Sequence, residues 1–196
     1  GVGSVGVSNS FHVGRLAEYS MQALKHNMIG VVICNAVPWA APWGGRRKLL
    51  GTNPISFALP AGKEKPIVVD FATTASSEGK VRVKMARGER IPEGWIVDKE
   101  GRDTTDPSAL YDDGALLPIG AYKGYALALA FEVIAGALTE TGCDGDISRG
   151  INGAFMQAIR IESFTSPQLY GAVVEKLIRH IKECPKAAGF EEILIP

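Results

Sequence analysis

Short apolar runs recur along the chain, and they predict β-strands. A run of roughly four to eight apolar residues, bounded by Gly, Pro, Asn or Ser, is typical of a buried or half-buried strand. Two neighbouring runs are separated by a turn at Pro60–Gly62. The predicted strands are Ser4–Ser8, Ile29–Cys34, Ile55–Leu59, Ile67–Phe71, Gly94–Asp98, Ala154–Ile161 and Glu191–Ile195.

Four further segments carry apolar residues at helical spacing. Over Tyr122–Leu138 the large apolar residues follow a 4-3-4 spacing and Ala and Gly fill most other positions, so we expect this helix to be buried on most sides. Over Pro167–Cys184 one apolar face predicts an amphipathic helix that ends at Pro185. Its face consists of Leu169, Val173, Leu177 and Ile181. The other predicted helices are Gly14–Lys25, ended by Asn27, and Ser76–Arg87, capped by Ser76 or Ser77.

The order of these elements indicates the fold class. Strands and helices are mixed without regular β-α-β alternation, and two long connections interrupt them. One connection, Asn35–Asn53, is rich in Pro, Trp and Gly, and a connection of that length is usually functional or part of an interface. The other, Arg102–Pro118, is interpreted as a polar loop. We predict an α/β (mixed α+β) protein in which helices pack on a mixed, non-Rossmann β-sheet.

Composition and charge exclude several classes of protein. The 196 residues include 21 basic and 21 acidic side chains, and this balance argues against a dedicated nucleic-acid-binding protein. No apolar run reaches the roughly 18 residues that a membrane span needs. Three widely spaced cysteines, Cys34, Cys143 and Cys184, favour free thiols in a reducing compartment, so we expect a cytoplasmic protein. We predict no metal site, because the Cys and His residues are too scattered.

The first six residues match the G-x-G-x-x-G pattern of dinucleotide-binding Rossmann folds. In those folds a strand precedes the glycines and a helix opens at their end. Here Gly1 has no preceding residue in the sequence, and the residues after Gly6 suggest strand and polar loop. The segment Met28–Cys34 also lacks the acidic residue expected on a second strand. A Rossmann site is therefore not predicted.

The segment Ser8–Gly14 places a histidine at a predicted strand-to-helix junction. The imidazole of His12 is suited to proton transfer near neutral pH, and Gly14 lets a ligand approach the backbone closely. The N-terminus of the following helix offers N–H groups to a phosphate or carboxylate. The alternative is that His12 only fills or caps the junction.

Two other segments carry candidate chemistry. Asp70 lies at the end of an apolar strand and is followed, after Phe71 and Ala72, by the hydroxyls of Thr73 and Thr74, so its carboxylate can hold ribose hydroxyls or orient a catalytic group. A helix cap or an Asx-turn is the alternative. Lys123 stands at the start of a nearly apolar helix, where a cation opposes the helix dipole. That position suggests a role in holding a phosphate or a substrate carboxylate, and a solvated lysine is the alternative.

Taken together, several runs of sequence resemble the malate/L-lactate dehydrogenase family, which is unrelated to the Rossmann-type lactate and malate dehydrogenases. They appear in family order and span almost the whole chain. The runs are SNSFHVG (8–14), APWGG (41–45), GTNPISFALP (51–60), VVDFATTASSEGKV (68–81), IPEGWIVDKEGRDTTDPSAL (91–110), GALLPIGAYKGYALAL (114–129) and GFEEILIP (189–196).

The resemblance implies a fold like that of sulfolactate dehydrogenase and a homodimer that uses NAD or NADP. It implies that His12, in some relatives the proton acceptor, lies with Val13 and Gly14 at the cofactor and substrate cleft. Asp70, Phe71 and Ala72 match the nucleotide-binding strand end, and Lys123 matches a lysine that contacts the cofactor. Ala36 falls where relatives carry a cofactor-contacting Ser, and alanine lacks that hydroxyl.

Family members also carry an N-terminal region with a Ser-His-Gly motif, which would precede Gly1. We therefore expect residues 1–196 to form the cofactor-binding core and part of the C-terminal region of a longer dehydrogenase. The expected reaction is hydride transfer between NAD(P) and C2 of a small 2-hydroxy or 2-oxo acid such as malate or lactate. The alternatives are an imine or keto-sugar-acid reductase of the same family, or a non-catalytic cofactor-binding or dimerisation piece.

Overall fold

A computed structural model describes residues 1–143 and 150–196. Within these residues eight strands and four α-helices form two sheets with packed helices. The strands are β1 (Val2–Ser10), β2 (Met28–Cys34), β3 (Ile55–Leu59), β4 (Ile67–Phe71), β5 (Ile96–Val97), β6 (Asp103–Thr104), β7 (Ala115–Leu116) and β8 (Asn152–Arg160). The α-helices are α1 (Ala17–Ser20), α2 (Glu78–Ala86), α3 (Tyr122–Phe131) and α4 (Pro167–Lys182), and short 3₁₀ helices span Met21–His26, Pro107–Tyr111 and Ile161–Ser163.

The larger sheet has five strands in the order β1-β8-β2-β3-β4, and all of its pairings are antiparallel. Strand β8 lies between β1 and β2, although about 140 residues of chain separate β1 from β8. The α/β class and the non-Rossmann arrangement are confirmed, because no strand of this sheet follows the parallel crossover order of a Rossmann fold. The predicted mixture of strand directions is not found, since every strand pairing among the described residues is antiparallel. An isolated parallel bridge, Ala40 to Leu116, joins the connection after β2 to β7 of the smaller sheet.

Strand β2 is apolar without interruption because it is covered on both faces. Val32 and Cys34 face Leu16, beside α1, whereas Ile33 packs against Phe131 and Ala135 on the other side. The helix predicted over Gly14–Lys25 starts later, at Ala17, and continues as the 3₁₀ helix. As predicted, Asn27 ends it in the left-handed conformation (φ 53°).

The smaller sheet has three strands in the order β6-β5-β7 and covers a second apolar cluster. The cluster includes the fully buried Leu110 and Leu116, together with Val81 from α2 and Ala128 from α3. The interpretation of Arg102–Pro118 as a polar loop was therefore wrong, since this segment supplies two short strands and part of a core. The predicted cap of α2 is confirmed at Ser77, whose side chain accepts from the Lys80 N–H.

The helix predicted over Tyr122–Leu138 is present but changes geometry. α3 passes at Glu132 into a π-helical segment, Glu132–Ala137. The expectation that it is buried on most sides is wrong for this chain, because Leu127, Val133 and Leu138 are exposed. The inward side is formed by small residues and Phe131.

The C-terminal part departs from prediction in two ways. The apolar face of α4 points outward, with Leu169, Val173 and Leu177 each more than half exposed. The predicted strand Glu191–Ile195 is not formed; this segment is extended without strand pairing, and the Val68 N–H donates to the Pro196 carbonyl. Within the described residues, no helix combines the length and apolar character that a membrane crossing demands.

Candidate functional site

Five strand ends meet at one edge of the larger sheet, which we call the site edge. Strands β1, β2 and β4 end there, and β8 and β3 begin there. The pairings Ser10–Asn152, Cys34–Ala154, Ile33–Ile55 and Ile55–Phe71 align these ends. The segments that carry the sequence-predicted residues follow directly from β1, β2 and β4, so the antiparallel topology brings them to the same edge.

The segment with His12 follows β1 and passes the first residue of β8. The Asn152 side-chain amide donates to the Phe11 carbonyl at 3.2 Å, which fixes the backbone next to His12. The imidazole itself is exposed, whereas Val13 is half-buried beside Leu16. Gly14 has φ 72°, and no atom lies within 4 Å of the position that a Cβ would take. A ligand can therefore reach the backbone at this point.

Asp70 lies at the end of β4 and faces the start of α1. Its Oδ2 atom accepts a 2.7 Å hydrogen bond from the Ala17 N–H. The helix-cap alternative is thus realised on a helix distant in sequence, and the same bond ties the end of β4 to the segment that follows His12. Phe71 is 40% exposed and Ala72 is half-buried.

The segment that leads into α3 and Lys123 is tied to the site edge by backbone hydrogen bonds. The segment after β4 pairs with the segment before α3, since the Ile119 N–H donates to the Thr73 carbonyl and the Ala75 N–H donates to Leu117. The Lys123 side chain is exposed on the first turn of α3. Immediately before this turn, Ala121 has φ 59° and ψ −126°, a backbone conformation that non-glycine residues rarely adopt.

Ala36 follows β2 and is half-buried. Its N–H donates to Asn53 Oδ1 at 3.1 Å, and Asn53 is completely buried just before β3. Close packing here requires a glycine, because a side chain at Gly51 would overlap the Ala36 carbonyl oxygen and Asn53 Oδ1. The Ala36 backbone is therefore held firmly although its side chain offers no hydrogen bond.

The fold thus gathers the segments of His12, Ala36, Asp70 and Lys123 at one edge. Within residues 1–143 and 150–196, no hydrogen bond or ion pair joins the side chains of His12, Asp70 and Lys123 directly to one another. Their common contact with one ligand stays a prediction. A cavity of about 640 Å³ lies elsewhere, between the helical segment 19–26 and strands β1, β2 and β8.

A buried carboxylate beside the site edge was missed by the sequence analysis. Glu132, only 6% exposed, accepts from Asn35 Nδ2 at 3.0 Å and from Asn53 Nδ2 at 2.6 Å. Burial raises the pKa of Glu132, while the two amides and the Gly51 N–H oppose that rise. A carboxylate within an otherwise apolar helix is the signal that could have identified it.

The whole chain, residues 1–196, matches the family model for malate/L-lactate dehydrogenase. It is 40% identical to L-sulfolactate dehydrogenase of Methanothermobacter thermautotrophicus over 203 residues, covering 100% of this chain and 57% of that protein. It is 33% identical to ureidoglycolate dehydrogenase (NAD(+)) of Escherichia coli O157:H7, again covering 100% of this chain and 58% of the relative. The chain therefore spans less than two thirds of the length of these relatives.

Comparison of the fold with solved structures finds similarity to the same kind of protein. The solved structure of sulfolactate dehydrogenase from Methanocaldococcus jannaschii superposes with a TM-score of 0.86 at 39% identity, covering 100% of this chain and 58% of that chain. The matched proteins are named as dehydrogenases, and this chain shares the fold of the solved one over its whole length. The chain belongs to the malate/L-lactate dehydrogenase family.

Proposed function

We propose that this chain is the nicotinamide-dinucleotide-binding core of a dehydrogenase that oxidises a small 2-hydroxy acid, or reduces the matching 2-oxo acid. The observation that carries the proposal is the meeting of the predicted segments at the site edge, in a chain that matches the family model over its full length. The acids proposed are malate, lactate or a close analogue such as sulfolactate. NAD and NADP are both retained as cofactors.

The residues present at the site edge fit a dinucleotide. The open backbone at Gly14 leaves room for a ligand, the exposed Lys123 ammonium supplies a cation for a phosphate, and Asp70 keeps one carboxylate oxygen beyond the bond to Ala17. Phe71 and Ala72 continue this surface at the end of β4. We propose that these residues, with Val13 and the Ala36 backbone, hold the cofactor.

We propose His12 as the proton acceptor for the alcohol. Its imidazole is exposed beside Gly14 and is held by a backbone that Asn152 anchors. When bound, the nicotinamide ring supplies the hydride acceptor. As the C2–H bond breaks, the imidazole takes the hydroxyl proton, so the C2–O bond becomes a carbonyl and His12 becomes cationic. In the reverse direction the imidazolium returns this proton.

The exposed face of α4 supports a homodimer. Leu169, Val173 and Leu177 form an apolar stripe that no described residue covers. A contiguous exposed apolar patch is typical of a protein–protein contact. We propose that a second copy packs on this stripe.

Two measurements test the function. Titration with NADH and with NADPH, followed by fluorescence, is expected to show saturable binding; an oxidation assay with malate, lactate and sulfolactate then tests turnover. Where turnover is found, His12→Ala is expected to lower it by about 10²–10⁴ while nucleotide affinity stays unchanged. His26→Ala, at an exposed histidine just before β2 and thus at the opposite end of the larger sheet, is the matched control.

The outcomes separate the candidate functions. Binding without turnover would favour a cofactor-binding piece, and activity confined to cyclic imines would favour the reductase alternative. Absence of binding to either nucleotide would overturn the proposal, and full turnover by His12→Ala would remove His12 from the chemistry.

A further inference from the structure

Glu132 is the centre of a buried polar chain that runs to the backbone of the site edge. Its two oxygens accept from the side-chain amides of Asn35 and Asn53. The oxygen of each amide accepts in turn from a backbone N–H: Asn35 Oδ1 from Gly153 at 2.6 Å, and Asn53 Oδ1 from Ala36 at 3.1 Å. All four hydrogen bonds therefore have the same direction: a backbone N–H donates to each amide oxygen, and each amide NH₂ group donates to the carboxylate.

Only a side chain with two acceptor atoms completes this arrangement. A carboxylate accepts at both oxygens, whereas the amide of glutamine presents one acceptor and one donor. With glutamine at position 132, either Asn35 or Asn53 would face another NH₂ group. If that asparagine rotated to avoid it, its own NH₂ group would face the backbone N–H of Gly153 or Ala36. Burial keeps water from repairing the mismatch, since Asn35 is 5% exposed and Asn53 is fully buried.

Of the two backbone groups at the ends of this hydrogen-bonded chain, one belongs to the proposed cofactor surface and the other adjoins the residue that anchors the His12 segment. Ala36 lies directly after β2, at a position that the proposed function assigns to the cofactor. Gly153 is in β8 beside Asn152, whose amide fixes the Phe11 carbonyl next to His12. A change at Glu132 would thus reach both sides of the site edge.

The local geometry also indicates a specific role. Glu132 begins the π-helical segment that interrupts α3, and such segments occur frequently at functional sites. A buried ion is rarely kept for stability alone, because a well-packed apolar residue is often equally stabilising. The surrounding helix is almost wholly apolar, so the carboxylate stands out from its neighbours.

We propose that Glu132 is a positioning residue: its carboxylate orients the Asn35 and Asn53 amides and thereby fixes the backbone of Ala36 and Gly153 for the dinucleotide. This rests on the proposed function, because the surface that is positioned is the proposed cofactor surface. Glu132 itself is set back from that surface, and it acts through the two asparagines.

The test compares three variants of this chain by NADH titration and by amide hydrogen exchange at Ala36 and Gly153. Glu132→Gln is expected to weaken NADH binding by about tenfold and to speed exchange at one of the two amides. Glu132→Gln combined with Asn35→Asp again faces a donor with an acceptor at the links to positions 35 and 53, although it loses the 3.2 Å bond from Asn35 to the Gly142 carbonyl. This double variant is expected to recover binding to within about threefold of wild type.

Val81→Ala is the control for general destabilisation. Val81 is fully buried in the apolar cluster under the smaller sheet, away from Asn35 and Asn53. This variant is expected to lower the melting temperature without changing NADH affinity. The inference is overturned if Glu132→Gln binds as wild type does, if Val81→Ala weakens binding equally, or if the double variant shows no recovery. If Glu132→Gln does not fold, the double variant decides alone: near-normal affinity supports the inference and a tenfold loss overturns it.

Failure of the proposed function gives a different result. In that case wild-type protein binds neither NADH nor NADPH. Slower exchange at Ala36 and Gly153 in wild type than in Glu132→Gln would still show that Glu132 orders the backbone, but the ligand served by that order would not be a nicotinamide dinucleotide.

Discussion

The carboxylate of Asp70 accepts a 2.7 Å hydrogen bond from the backbone N–H of Ala17, 53 positions earlier in the chain. The bond satisfies one of the unpaired donors at the start of α1 and ties the end of β4 to the segment that follows His12. One side chain therefore serves the stability of the fold and the shape of the proposed cofactor surface.

Replacing Asp70 with alanine should separate these two roles. We expect a loss of about 1 kcal/mol in the free energy of unfolding, because a helix start loses its cap, together with weaker NADH binding. Asp70→Asn, which keeps an acceptor oxygen, should retain most of the stability. Chemical denaturation and NADH titration measure the two effects. Asp112→Ala, at an exposed ion pair with Lys99, is the control, and an equal loss there would contradict the cap.

Ala121 holds a conformation that suits glycine better. Its φ of 59° and ψ of −126° cost an alanine about 1–2 kcal/mol, more than the entropic cost of placing glycine there. Ala121→Gly should therefore raise the melting temperature by roughly 2–4 °C. Ala126→Gly, on the exposed side of the same helix, should lower stability by about 1 kcal/mol. Equal destabilisation by both substitutions would show that Ala121 is unstrained.

Stability should fall at alkaline pH because of Cys34. Burial, and secondarily the charge of Glu132, raise the pKa of its thiol from 9.0 to about 12. Between these values the unfolded chain has released a proton that the folded chain retains, so unfolding becomes easier as the pH rises. We expect a slope of up to about 1.4 kcal/mol per pH unit above pH 9.

Denaturant melts of wild type and Cys34→Ala, measured at several pH values above 8, isolate this contribution. The difference in unfolding free energy between the two proteins should narrow steadily as the pH rises. Cys184→Ala alters an exposed free cysteine and is the control. The difference in unfolding free energy between wild type and Cys184→Ala should stay constant over the same pH range. A constant difference between wild type and Cys34→Ala would mean that the Cys34 pKa is not raised.

The apolar stripe of α4 predicts a dimer that one charged substitution in the stripe should dissociate. Val173 is 59% exposed, so Val173→Glu should change the unfolding free energy of an isolated copy by no more than about 0.5 kcal/mol. The same change buries a charge if a second copy packs there, so the molar mass by light scattering should fall from dimer to monomer. Arg179→Glu, at an exposed position of α4 outside the apolar stripe, should leave the mass unchanged. A dimeric Val173→Glu protein would place the contact elsewhere.

The local pattern of apolar and polar residues was sufficient to predict an element where that element is long enough to show its period. Strands β3 and β4 have the predicted bounds, and Ser77 caps α2 as expected. The segment Arg102–Pro118 was misinterpreted because its strands have only two residues each, too few to display alternation. Its polar residues concealed the buried Leu110 and Leu116.

The site could be predicted only in part for a related reason. Residues such as His12 and Lys123 stand at the ends of predicted elements, where sequence points to accessible chemistry. Glu132 interrupts an apolar pattern, and its partners Asn35 and Asn53 lie 97 and 79 positions away. Only the folded chain shows that these residues meet. Helical spacing likewise predicts that α4 has an apolar face, but only the tertiary structure shows that this face points outward.

The position of β8 between β1 and β2 has a consequence for synthesis on the ribosome. Strand β1 pairs with β8, so β1 must wait until residues 11–151 and β8 itself have been made before it gains this partner. The β2-β3-β4 meander contains only nearby pairings and can form much earlier. Until β8 has been made, β1 and the facing edge of β2 lack this partner, and this interval is when chaperone protection matters most.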